Sequence, residues 1–226
     1  MVSNANELKV IGDPLAINTK KIEIAALYAG INLTVEAFDP ATASEKDFKE
    51  FLKKSPHGLI PVLETSEGCI YEANAILRYM GRYNDDCRLY GASVFEQALV
   101  DQFLDWSTLA LEPVYAQYIM PYLGFGAYDK KVHDQALKNL RELLQVLEEN
   151  LKKTKYLVGS NITLPDIQIV SLLSFNFRYN FDEKFRKGFP KLTEYYESVA
   201  NEPNFKKLLG RPVLCKTPME PFKVKK

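Results

Sequence analysis

Two histidines, His57 and His133, and three cysteines, Cys69, Cys87 and Cys215, are the side chains from which nucleophilic or metal chemistry would first be assembled. Their number and spacing exclude most of it. The cysteines are odd in number, far apart and free of any C-x-x-C pair, which argues against a disulfide framework and a zinc site and leaves reduced thiols. Two isolated histidines give a metal site or a Ser-His-Asp triad too little to work with, so both take solvated or structural roles. No catalytic residue and no metal ligand is assigned. The position with chemical promise is instead a piece of backbone: Pro61 interrupts the apolar run Leu59–Leu63, where it either lies at a sheet edge or follows a cis bond.

The elements that must position Pro61 alternate in type. Leu8–Ile11 reads as a short strand, Gly12-Asp13-Pro14 punctuates it, and Ile17, Ile22, Ile24, Ala25, Leu27 and Tyr28 mark a helix that stops at Gly30. Leu33–Phe38 alternates as a half-buried strand does, and Glu45–Lys54 is a more polar helix. Leu59–Leu63 and Cys69–Tyr71 are two strands about the turn Thr65–Gly68, and Asn74–Tyr83 is a closing helix. The order β-α-β-α-β-β-α with a proline before the third strand is a thioredoxin-like arrangement. Its bend leaves a backbone N–H and C=O free for a peptide-like ligand; an edge-strand proline without a ligand role is the alternative. Cys69 is expected to pack within its strand.

Beyond the polar stretch 85–93 the strand signals end. Val94–Leu111 and Pro113–Pro121 read as helices, broken after Pro121 by Gly124 and Gly126, and Asp129–Leu151 carries leucines at near 3.6-residue spacing. Tyr115, Tyr118, Tyr122 and Phe125 cluster near those turn residues, as core or as interface anchors. Thr163 and Asp166 form a structural capping box, with Ile162 and Ile167 as its hydrophobic staple, and the helix that follows to Phe177 is apolar nearly all round, the expected axis of an all-helical domain. The fold class is therefore α/β followed by all-α: a thioredoxin-like domain at 1–84, a linker at 85–93, a helical domain at 94–213, and the start of a basic linker or tail at 214–226.

Apolar residues make up 46% and charged residues 26%, a composition that folds, and 29 basic side chains balance 29 acidic ones. No global field favours direct contact with nucleic acid. The absence of a long apolar run and the polar start Met1–Asn6 predict no membrane span and a cytoplasmic protein.

Gly58–Leu63, Tyr71–Tyr79 and Leu157–Asp166, at these spacings, resemble the cytosolic glutathione transferase family over residues 8–210. The resemblance implies the thioredoxin-like plus helical fold already read. It also implies that glutathione is the ligand, held by the backbone of Ile60 before a cis Pro61 and by Glu72 pairing with the ligand's amino group. The family's serine position is Ala73, Leu59 replaces a frequent lysine or glutamine, and Asp13–Thr19 offers no tyrosine, serine or cysteine to ionise a thiol. Only Asn18 and Thr19 are left to substitute. Ile60, Pro61, Glu72 and Ala73 are thus vestigial glutathione-binding candidates, and no cofactor is assigned. Neither Cys69 nor Cys87 opens a helix after the first strand, where such folds place a reactive thiol.

Pro121–Gly126, Gly188–Lys191, Asn201–Gly210 and Val213–Lys216 narrow the resemblance to the transferase-like domain of the gamma-subunit family of eukaryotic elongation factor 1. In that family a lysine-rich linker follows, whose first residues Lys223–Lys226 would be. What it implies is a non-catalytic or weakly catalytic scaffold that binds the nucleotide-exchange subunit in protein synthesis and pairs as a homodimer through Asn74–Tyr83 and Val94–Leu111. An active glutathione transferase is the alternative.

Overall fold

The computed structural model describes residues 7–125 and 128–222; Met1–Asn6, Gly126, Ala127 and Lys223–Lys226 lie outside the described residues. Strand β1 (Glu7–Gly12), helix α1 (Ile17–Ala29) and β2 (Asn32–Ala37) form a parallel β-α-β unit. After α2 (Glu45–Leu52), β3 (Val62–Thr65) pairs antiparallel with β1, and β4 (Gly68–Tyr71) with β3. The sheet order is β2-β1-β3-β4, and α3 (Ala73–Tyr83) follows. This is the thioredoxin-like domain. Across its surface Lys9 bridges Glu36 of β2 and Glu64 of β3, so adjacent strands are tied by opposite charges as well as by the ladder.

The third strand starts three residues later than the apolar run Leu59–Leu63 predicts. The Ser55 hydroxyl donates to the Leu59 carbonyl at 2.8 Å and accepts its N–H at 3.2 Å, which takes those groups out of the ladder. The Ile60–Pro61 bond is cis. Gly58 has φ +69°, and a Cβ there would stand 2.9 Å from the Phe48 ring, so the loop needs glycine at this point. Cys69 lies in β4 but is exposed rather than packed, because β4 is an outer strand.

Helix α4 (Val94–Trp106) runs into a π turn at Ser107–Leu111 and then α5 (Glu112–Ile119). Pro113 cannot donate to the carbonyl of Leu109 and its ring crowds it, and the wider π turn is where the helix absorbs this. Long α6 (Lys130–Leu151) packs on α5 and on α9 (Pro190–Ala200), while α7 (Leu164–Tyr179) runs through the middle, touching α1, α3, α4 and α9. Short α8 (Glu183–Arg186) and α10 (Pro203–Leu209) complete the domain. Phe177 stacks on Tyr196 at 3.9 Å, and Phe181 on Phe185 at 4.1 Å. Leu89 and Tyr90, within residues 85–93, are buried, and the Leu89 carbonyl accepts the Leu164 N–H, so the connection is fastened to the start of α7. Residues 215–222 return along the same helix, with the N–H groups of Cys215 and Met219 on the carbonyls of Phe177 and Tyr179.

The start of α7 is organised by one carboxylate. Asp166 is fully buried, and its two oxygens accept the N–H of Thr163 at 2.8 Å, the hydroxyl of Thr163 at 2.9 Å, the N–H of Leu157 at 3.0 Å and the hydroxyl of Tyr195 at 2.8 Å. Burial raises the Asp166 pKa above the usual carboxylate range, against the pull of these donors. Ile162 and Ile167, on either side of the cap, are both in the core. Because Asp166→Ala strands two backbone N–H groups and a tyrosine hydroxyl at a buried site, we expect it to cost about 3 kcal/mol or more in urea unfolding. Tyr195→Phe, which removes only one donor, should cost about 1 kcal/mol.

Candidate functional site

Between the two domains lies a cleft of about 400 Å³. One wall is the segment Leu59–Pro61, the second is the end of β4 with the start of α3, and the third is the π turn with Glu112; α1 supplies the floor through Asn18 and Lys21. The sequence-derived candidates Ile60, Pro61, Glu72 and Ala73 all line this cleft, whereas Thr163 and Asp166 stand apart at the start of α7. His57 also reaches the rim, its ring edge-on to Tyr71 at 6.0 Å. His133 is elsewhere: it is buried among Tyr118, Tyr122 and Tyr128, and burial lowers its pKa, so it is a neutral core ring.

Glu72 occupies the N-cap position of α3 with φ 71° and ψ 114°, a conformation that L side chains rarely adopt, and its side chain is exposed to the cleft without a capping bond. Backbone strain of this kind costs on the order of 1–3 kcal/mol and is held where a side chain must be aimed. At the start of α1 the position is different. The N-cap is Ala16, with no side-chain bond to the helix, and the Thr19 hydroxyl is buried beneath Gly12, where a Cβ would meet it at 2.7 Å. Thr19 Oγ1 has no hydrogen-bond partner and does not line the cleft. Of the two residues left to replace a thiol-activating group, only Asn18 faces the cavity.

The floor carries residues that periodicity did not single out. Lys21 Nζ donates to Gln168 Oε1 at 2.5 Å and to Asn74 Oδ1 at 3.3 Å. Gln168 Nε2 in turn donates to Glu112 Oε1 at 2.6 Å and to Ser107 Oγ at 2.9 Å. Asn74 Nδ2 donates to Thr108 Oγ1 at 2.7 Å. The signal in the sequence was Gln168 itself, a polar residue flanked by Ile167 and Ile169 in a helix with no polar face. At the rim, Arg78 spans Asp101 at 2.5 Å and Asp105, which joins α3 to α4. Among the described residues no group of three or more His, Cys, Asp or Glu is placed to hold a metal ion.

The model of the glutathione S-transferase N-terminal domain matches residues 7–82, and that of the C-terminal domain matches 108–203. The chain belongs to the glutathione S-transferase family. Poplar glutathione transferase F1 has the same fold, with a TM-score of 0.80 at 19% identity over 91% of this chain and 97% of that one. A glutathione S-transferase-I structure bound with lactoylglutathione aligns with a TM-score of 0.77 at 27% identity over 89% of this chain and 98% of its own. Among curated proteins, probable elongation factor 1-gamma 1 of Arabidopsis thaliana is 36% identical over 92% of this chain and 52% of its own length. Elongation factor 1-gamma-A of Xenopus laevis is 34% identical over 85% and 44% respectively. The chain thus spans about half the length of the curated relatives it matches.

As a transferase-family cleft this one combines an exposed Glu72 on its wall with a first helix whose start bears no exposed hydroxyl. Thr19→Val removes a buried, unpartnered hydroxyl at nearly constant volume. It should leave stability unchanged or raise it by up to about 1 kcal/mol, and leave any glutathione affinity as it was. Calorimetry and thermal unfolding of the variant check both.

Proposed function

We propose that this chain is the transferase-like domain of an elongation factor 1 gamma-type subunit, a cytoplasmic scaffold that binds the nucleotide-exchange subunit and turns over thiol substrates weakly or not at all. The observation that carries the reading is the start of α1, where Ala16 stands at the cap and the nearest hydroxyl, on Thr19, is packed under Gly12. A family cleft in that state has binding geometry without an obvious means of ionising a thiol. The curated relatives named elongation factor 1-gamma point the same way. The second reading, an active glutathione transferase, is favoured by one observation, the strained Glu72 aimed into the cleft.

A homodimer is part of the proposal, through α3 and α4. On these helices Tyr83, Val94 and Phe95 are exposed, and the last two leave 83% and 73% of their surface in water. Of the aromatic residues considered as anchors for the exchange subunit, Tyr115, Tyr118 and Tyr122 are buried and belong to the core; Phe125, 65% exposed, is the one available to a partner. With no net charge to steer association, the interface is expected to rely on apolar burial and to lose little affinity with salt.

Capture of the exchange subunit at low and at high salt, with and without excess glutathione, tests the scaffold reading. Capture at both salts that survives glutathione is the expected outcome; no capture at either salt sinks it. In a conjugation assay with a chlorinated aromatic substrate we expect little or no turnover, and turnover like that of an ordinary transferase would establish the second reading. Glu72→Ala should then abolish residual glutathione binding by leaving the ligand's ammonium unpaired. Light scattering should give twice the chain mass of 25.8 kDa at micromolar concentration.

A further inference from the structure

Neither the ligand reading nor the partner reading uses the buried lysine beneath the cleft. Lys21 is 2% exposed, in the middle of α1, yet it carries an ammonium group and meets it with two amide oxygens. The Gln168 amide is oriented by its surroundings: the carbonyl faces the lysine, and the NH₂ faces the Glu112 carboxylate and Ser107. One side chain on α7 therefore relays between a cation on the thioredoxin-like domain and an anion at the start of α5. The bonds cross the domain boundary and end on the π turn, the segment that forms one wall of the cleft. Asn74 repeats the pattern from α3, bonding Lys21 on one side and Thr108 on the other.

We propose that Lys21, Gln168 and Glu112 are a proton-operated clamp between the domains, tight when the Lys21 amine is protonated and slack when it is not, so that the cleft wall at Ser107–Leu111 moves with the protonation state. Charge-assisted hydrogen bonds are roughly twice as strong as neutral ones, and the tie to Gln168 changes from the first kind to the second when the proton leaves. Burial lowers the Lys21 pKa to about 8, while Glu112 acts to raise it, which puts the change within reach of mild alkaline conditions. Other charged groups around α1 are engaged elsewhere. Arg78 of α3 is held by Asp101 and Asp105, Glu23 of α1 lies near Lys20 and Lys207 of α10, Glu202 acts on Tyr28, Glu36 of β2 pairs with Lys9, and Asp166 of α7 is enclosed by its own donors.

Trp106, the single tryptophan, immediately precedes Ser107 and reports on the π turn. Its fluorescence in the intact folded chain should follow a single transition centred at about 8. Lys21→Met should remove the transition. Glu112→Gln should move the midpoint down, because it deletes the group that raises the amine's pKa. Should Lys21→Met fail to fold, the Glu112→Gln shift and the direct titration of the Lys21 amine by ¹⁵N NMR carry the test. Urea unfolding gives an opposed reading of the same proton: from about pH 8 to 10.5 the unfolded chain binds the proton that the folded chain has lost, so wild-type stability rises with pH over that window. No fluorescence transition in the wild type, a transition of unchanged midpoint in both variants, or a Lys21 amine that titrates near 10.5 would overturn the clamp.

Discussion

A carboxylate removed from water must be surrounded by donors or give up its charge, and Asp166 is surrounded by four. They come from three places: the loop before α7, the cap of α7 itself and the face of α9. Satisfying one buried anion therefore fixes the start of α7 against the rest of the helical domain. Gln168 is two residues further along the same helix, so the placement of its amide between Lys21 and Glu112 follows from the placement of Asp166. The geometry of the cleft is thus referred, through one helix, to a cap that lies outside it.

That dependence places a polar network at one part of a domain boundary that is otherwise apolar, since one buried core runs from Leu8 and Ile22 of the first domain to Leu104 and Phe177 of the second. Lys21 is costly to bury, and the cost is offset only while Gln168 and Asn74 supply acceptors and half-buried Glu112 and buried Ser107 hold the Gln168 amide in place. Apolar packing alone tolerates a range of docking angles; directional hydrogen bonds tolerate few. The π turn serves the same end. By widening the helix ahead of Pro113 it brings Ser107 and Glu112 to the same Gln168 amide, whereas a regular helix would set these two residues roughly 140° apart.

The element order was legible because periodicity and punctuation are local signals. Gly30 sits in the left-handed region at the end of α1, as its helix stop requires, and α7 is buried on nearly every side, as its apolar run requires. What could not be read were events set by partners distant in the chain. The apolar run Leu59–Leu63 looks like a strand, but Ser55 claims the groups of Leu59 before the sheet can. Cys69 looks like a core residue, but β4 has no neighbour on its outer side within the sheet. Four positions of the cleft, Ile60, Pro61, Glu72 and Ala73, were found through family resemblance, whereas its floor was not, since Lys21 and Gln168 are 147 residues apart. The burial of the Thr19 hydroxyl depends on a contact with Gly12 that no spacing rule encodes.

The presence of the cleft is weak evidence for catalysis on its own. Two domains that share an apolar core and a local polar network leave a recess beside that network whether or not chemistry occurs in it, and the network has structural reasons to be there. By the transferase resemblance, what would separate a catalyst from a scaffold is the chemistry at the start of α1, where helix-end N–H groups favour an anion and a nearby hydroxyl would donate to it. Here the N–H groups remain, the cap is Ala16, and the Thr19 hydroxyl is buried next to Gly12, without a hydrogen-bond partner and outside the recess. The strain at Glu72 fits either use, since a carboxylate aimed at an ammonium group can hold a peptide ligand without reacting with it. On the proposed reading binding geometry falls to α3 and reactive geometry to α1, and because the two elements are separate in the chain a sequence can keep one while losing the other.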